Sequence, residues 1–147
     1  MQLQTTIDIQ APQEVVWKII TDIEGSVEVL SGVDEIKILE PPTQGILDLK
    51  WRETRTLFGR QAEEVMTVIE EEAPRYYLVE AHNHGAHYLT EVRVEKQQEG
   101  GSRLNMVFKA RPVTFGARIM LFLMAPFFKK PTLKALQQDL EDIKTAA

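Results

Sequence analysis

The sequence predicts an α+β fold: a curved antiparallel sheet of about seven strands around a long C-terminal helix, with two short helices after the first strand. Three observations predict it. Apolar and polar residues alternate through most of residues 1–110, the period of half-buried strands. The last part of the chain changes to a helical period, and its charge changes with it. Residues 1–110 carry 11 basic and 19 acidic side chains, whereas residues 111–147 carry 6 and 3. A chain of 147 residues holds one sizeable core and is too short for two ordinary domains, so a single domain over 1–147 is expected.

The elements follow in order. Leu3, Thr5, Ile7 and Ile9 share one face of the first strand. Ala11-Pro12 ends it, and Pro12 suits the first turn of a helix. Val15, Val16, Ile19, Ile20 and Ile23 recur at helical spacing. Asp22 and Gly25 break that helix, and a short second one is expected to run to Ser31-Gly32. Ile36 and Ile38 mark the second strand, stopped by Pro41-Pro42. A turn at Phe58-Gly59 sets Glu53 opposite Glu64, Trp51 opposite Met66 and Leu49 opposite Val68, which gathers the large apolar residues on one face. Glu72-Ala73-Pro74 makes the next turn, and Tyr77, Val79 and Ala81 continue that face. His84-Gly85 pairs Val79 with Thr90, and Gly100-Gly101 pairs Val94 with Leu104 and Thr90 with Phe108. The C-terminal segment must cover this face. Phe115, Ile119, Phe122 and Leu123 form one stripe and Leu133, Leu136, Leu140 and Ile143 another, with a kink or break expected at Pro126 and Pro131.

Composition excludes several chemistries. With no Cys, disulfides, thiol nucleophiles and Cys-held zinc or iron–sulfur clusters are ruled out. A net charge of −5 argues against a basic nucleic-acid binder. The opening MQLQTTIDIQ lacks the regions of a secretory leader, so a cytoplasmic location is the expectation. The most apolar stretch, residues 112–128, is interrupted by Arg118 and shorter than the ~20 residues of a membrane-spanning helix. It reads as a buried helix. No Gly-rich phosphate loop, Ser-His-Asp set or dinucleotide fingerprint is present, so no cofactor is expected.

The element order resembles the helix-grip fold of the START-like (SRPBCC) superfamily, which includes pollen allergens, polyketide cyclase/dehydrases and lipid-transfer START domains. The opening Ile7-Asp8-Ile9-Gln10-Ala11-Pro12-Gln13-Glu14-Val15-Val16-Trp17 looks like that family's I-x-A-P-x-x-V-W start. Gly100-Gly101-Ser102-Arg103 is similar to its G-G-T-R turn, and Leu133-Lys134-Ala135-Leu136-Gln137-Gln138-Asp139-Leu140-Glu141 to its helix end. One departure lies at Gly25-Ser26-Val27-Glu28-Val29-Leu30, where many members have W-P-x-W. The resemblance implies a cavity for a hydrophobic small molecule.

The residues expected to line it are Leu49, Trp51, Met66, Val79, Tyr88, Thr90, Met106 and Phe108 on the sheet. Phe115, Ile119 and Leu123 on the helix complete it. Ligand pockets are mostly apolar with a few placed polar groups, and Glu53, Arg55 and Glu64 fall on the same inner face as a polar pole. Two carboxylates directly opposed repel unless one is protonated or a cation joins them. The leading function is binding or transport of a lipid, quinone or polyketide-like molecule. An enzymatic reading, a cyclase, dehydratase or hydrolase, makes Glu53 or Glu64 a general acid/base. A regulatory protein-interaction module is the third reading. His82, His84 and His87 are of a type that holds zinc or copper, but no carboxylate with clear ligand spacing joins them, and an exposed hairpin tip is the expectation. Phe127-Phe128-Lys129-Lys130 is a candidate for transient contact with an anionic membrane surface.

Overall fold

The computed structural model describes residues 1–57, 59–83 and 85–147. The order is β1 (Gln2–Ile9), α1 (Gln13–Thr21), α2 (Ser26–Val29), β2 (Val33–Glu40), β3 (Lys50–Leu57), β4 (Arg60–Glu72), β5 (Tyr76–Asn83), β6 (Ala86–Lys96), β7 (Ser102–Pro112) and α3 (Phe115–Ala146). Seven antiparallel strands form one sheet in the order β1-β7-β6-β5-β4-β3-β2. The helix-grip architecture expected from the sequence is present.

The strand registers agree with side-chain parity. Glu53 lies opposite Glu64 and Trp51 opposite Met66. Val79 pairs with Thr90 and His82 with His87, and Val94 pairs with Leu104. Leu49 precedes β3, yet its carbonyl accepts from Val68 N at 3.0 Å, so the expected pairing extends beyond the strand. Two residues of the expected turns, Phe58 and His84, lie outside the described residues. Gly85 follows with φ +74°, a conformation costly for side-chain-bearing residues. Its carbonyl accepts from Val113 N at 2.7 Å, and a Cβ there would stand 2.9 Å from Thr114 Oγ1. This close approach docks the β5–β6 turn on the start of α3, where the Thr114 side chain caps Ala117 N at 3.1 Å.

Three local expectations change. Pro12 is the residue before α1 rather than within its first turn. The second helix ends at Val29, short of Ser31-Gly32. Helix α3 continues through Pro126 and Pro131 without a break. Each proline removes one amide donor, but the carbonyls involved lie on a largely solvated stretch.

The main core lies where α1 and the C-terminal half of α3 meet the concave sheet. Val16, Val68, Leu104 and Leu140 are fully buried there. Gln13 is also buried and donates to Val94 O at 2.9 Å, tying α1 to β6. Ser102 donates to Ala11 O at 2.6 Å. The accessible surface is 8977 Å², above the about 7,600 Å² expected for a chain of this mass. Replacing Leu104, at 0% exposure, with Ala is expected to lower stability by about 2–5 kcal/mol, read as a reduced urea midpoint at unchanged slope.

Candidate functional site

The concave sheet and α3 enclose a cavity of about 480 Å³, within the range of small-molecule sites. Inward positions of four strands build one wall. Trp51 comes from β3, Met66 from β4, Val79 from β5, and Tyr88 and Thr90 from β6. Met106 and Phe108 on β7 continue it. The Tyr88 and Phe108 rings stack, with centroids 5.8 Å apart and planes 20° apart, so that part of the wall is aromatic. Helices α1 and α2 contribute Ile19, Ile20, Ser26 and Val29 near one end.

Helix α3 presents Ala117, Leu121, Met124, Phe128, Thr132, Ala135, Asp139 and Ile143 to the cavity. These recur at steps of three and four, as one helical face requires. Three expected lining residues are therefore displaced. Phe115, Ile119 and Leu123 are 77%, 47% and 60% exposed and face outward. The segment 115–128 is apolar nearly all round, so hydrophobicity alone selects no face. For the same reason its reading as a buried helix is corrected: one flank faces the cavity and the other, with Phe122 and Phe127, faces solvent. Leu49 is also outside the cavity wall. It is buried in the core with Ile46 and Val68, because the chain before β3 bends toward α1.

A charged pole sits at one side. Arg55 lies between two carboxylates. Its Nε meets Glu53 Oε2 at 3.1 Å, and its Nη1 meets Asp139 Oδ2 at 3.0 Å. Glu53 and Asp139 are 8% and 5% exposed. Burial opposes the charge on Arg55, but Asp139 and Glu53 outweigh it and hold the guanidinium more firmly protonated than usual. Burial also raises the Asp139 carboxyl above its ordinary value, which Arg55 offsets only in part. Sequence reasoning identified Glu53 and Arg55 but missed Asp139. The detectable signal was its place one helical turn before Ile143, on the face that must meet the sheet.

Glu64 lines the cavity on the neighbouring strand, half-buried. Burial, together with the charge of Glu64, raises the Tyr88 hydroxyl above its ordinary pKa. Tyr77 is not available to a ligand, since its hydroxyl donates to Ile20 O at 3.1 Å. The indole N–H of Trp51 is buried with no hydrogen-bond partner among the described residues. Arg111 and Arg118 are not part of this pole, and the arginine that joins Glu53 is Arg55.

A carboxyl whose folded pKa exceeds its unfolded one stabilises the fold below the ordinary value, here 3.8. That contribution is lost as pH rises through the folded value. Arg55→Met removes the group that draws Asp139 back down and leaves two buried carboxylates without a cation. The expected loss is about 3–5 kcal/mol at neutral pH. The deficit should narrow as pH falls toward the carboxylate range, seen in urea unfolding at about pH 7 and about pH 4.

Comparison with known proteins agrees with this architecture. No curated protein shows a significant match to the chain. Among solved structures, TTHA0849 from Thermus thermophilus superposes with TM-score 0.80 at 16% identity, covering 99% of this chain and 95% of that one. A START superfamily protein from Mycobacterium smegmatis gives 0.79 at 12% identity, covering 99% and 95%. The Zhui aromatase/cyclase from Streptomyces sp. R1128 gives 0.77 at 16%, covering 99% and 92%. At such identities the likeness shows the fold. The family model for polyketide cyclase / dehydrase and lipid transport proteins matches residues 1–147, and the chain belongs to that family.

Proposed function

We propose that the protein binds a hydrophobic small molecule, of lipid, quinone or polyketide-like class, in the cavity under α3. The observation that carries this reading is an apolar chamber of about 480 Å³ with its charges gathered at one pole. Such a chamber excludes water from most of a ligand and orients one polar end.

The pole also favours one ligand chemistry. Arg55 already faces two carboxylates. An incoming carboxylate would meet excess negative charge, whereas a hydroxyl or phenol donates to the spare carboxylate lone pairs. The unsatisfied Trp51 N–H supports a ligand that carries an acceptor oxygen as well. The aromatic Tyr88–Phe108 pair favours a ring-containing body. Together these support a neutral, oxygenated ring compound over a fatty acid.

A second reading, catalysis in the same chamber, is favoured by Glu64 beside Tyr88, whose hydroxyl its charge perturbs. In that reading Glu64 moves a proton to or from the bound ring. The aromatase/cyclase among the structural relatives supports considering it, and Glu64→Gln distinguishes the two. Retained binding with lost turnover supports catalysis; no turnover in either form supports a carrier.

Calorimetric titration with the two probes tests the binding reading. 2-Naphthol is expected to bind at least about tenfold more tightly than 2-naphthoate, a difference near 1.4 kcal/mol. Thr90→Trp, which fills the chamber from β6, should abolish both. Tighter binding of the naphthoate, or binding unchanged in Thr90→Trp, would overturn the proposal. Native mass spectrometry of freshly extracted protein should show a co-purified apolar species that the same substitution removes.

A further inference from the structure

On the face of the sheet opposite the inward Val79 and Ala81, three metal-ligating side chains converge, and of their residues Glu80 also borders the chamber. His82 on β5 and His87 on β6 are direct cross-strand partners, and their rings lie 4.6 Å apart at 36°. Glu80 precedes His82 by two residues, so the strand period places it on the same face. Its Oε2 stands 3.2 Å from His87 Nε2 and 3.9 Å from His82 Nε2. One carboxylate oxygen thus faces both imidazole Nε2 atoms, and the three ligand atoms lie within 4.8 Å of one another. We infer that Glu80, His82 and His87 form a binding site for a divalent transition-metal ion of the zinc type.

The donor set argues for the ion class. Two imidazoles and one carboxylate suit zinc, nickel or copper, whereas magnesium and calcium demand more oxygen ligands than are offered here. The ligands project from a continuous antiparallel ladder that runs from Tyr76–Arg93 to Asn83–Ala86. Little conformational freedom remains to be lost when the ion binds. An ion entering between the three atoms replaces the His87–Glu80 hydrogen bond with shorter coordinate bonds. Water completes the coordination, since His82 is 67% exposed. Arg111 lies across the ladder from His87, but it is exposed and its charge is screened by solvent and salt. The site links β5 to β6 beside the turn that docks on the start of α3, so an ion there braces that hairpin.

Calorimetric titration of tag-free, metal-stripped protein with ZnCl₂ tests the assignment. One equivalent of zinc should bind, and MgCl₂ should give no heat. His82→Gln and His87→Gln should each weaken zinc binding by at least about tenfold, and Glu80→Gln should weaken it as well. Both ring nitrogens' NMR shifts should move on zinc addition at those two histidines. All three side chains are outside the core, so the variants should keep the parent's circular dichroism spectrum. No zinc heat would overturn the assignment. So would affinity unchanged in the His82→Gln, His87→Gln double variant. Binding that survives in that variant but vanishes in His84→Gln would overturn it too.

Discussion

The ion cluster of Arg55 with Glu53 and Asp139 is the constraint on which the rest of the molecule depends. Three charged groups are held between the concave sheet and the covering helix, two of them nearly removed from solvent. Isolated, each would be costly to desolvate; joined, they fix the distance between β3 and α3 at that point. The hydrophobic core on one side of this cluster is densely filled by Leu104, Leu140 and Val68. On the other side the same distance is maintained without filling, and the chamber results. Replacing such a cluster with apolar side chains is often tolerated or stabilising in proteins at large.

Much of this architecture was legible in the residues. A strand places alternate side chains on opposite faces, so a single correct turn determines parity for a whole hairpin. This is why the pairings of Trp51 with Met66 and Val94 with Leu104 were readable, and why Glu53 and Arg55 emerged on the inner face before any coordinates. The helix was less legible for a definite reason. Between residues 115 and 128 almost every side chain is apolar, which flattens the contrast on which a 3.6-residue period relies. An unbroken helix through Pro126 and Pro131 carries one register along its whole length. Counted backward from Asp139 and Ile143 at about 100° per residue, it puts Leu121 and Phe128 on the cavity face and leaves Phe115 and Leu123 off it. The inner face was further disguised by Thr132 and Asp139, polar residues on a face assumed to be oily.

Glu80 illustrates a different limit. Its spacing from His82 is that of neighbours on one strand face, but its relation to His87 depends on the pairing of two strands. Only the cross-strand geometry brings its carboxylate to both rings. The spacing of Glu80 and His82 gives two ligands on one strand face, and the register with β6 adds His87 to them. No described helix is long and apolar enough to cross a membrane.

The covering helix is fastened unevenly. Its C-terminal half contributes Asp139 to the ion cluster and Leu140 and Ile143 to the core, while its N-terminal half has Phe122 and Phe127 in water and Pro126, which removes a donor from its internal ladder. Local opening free energies follow buried contacts and intact backbone hydrogen bonds. Local opening is therefore expected to begin in residues 115–128, over one end of the chamber, and to leave the rear of the helix seated.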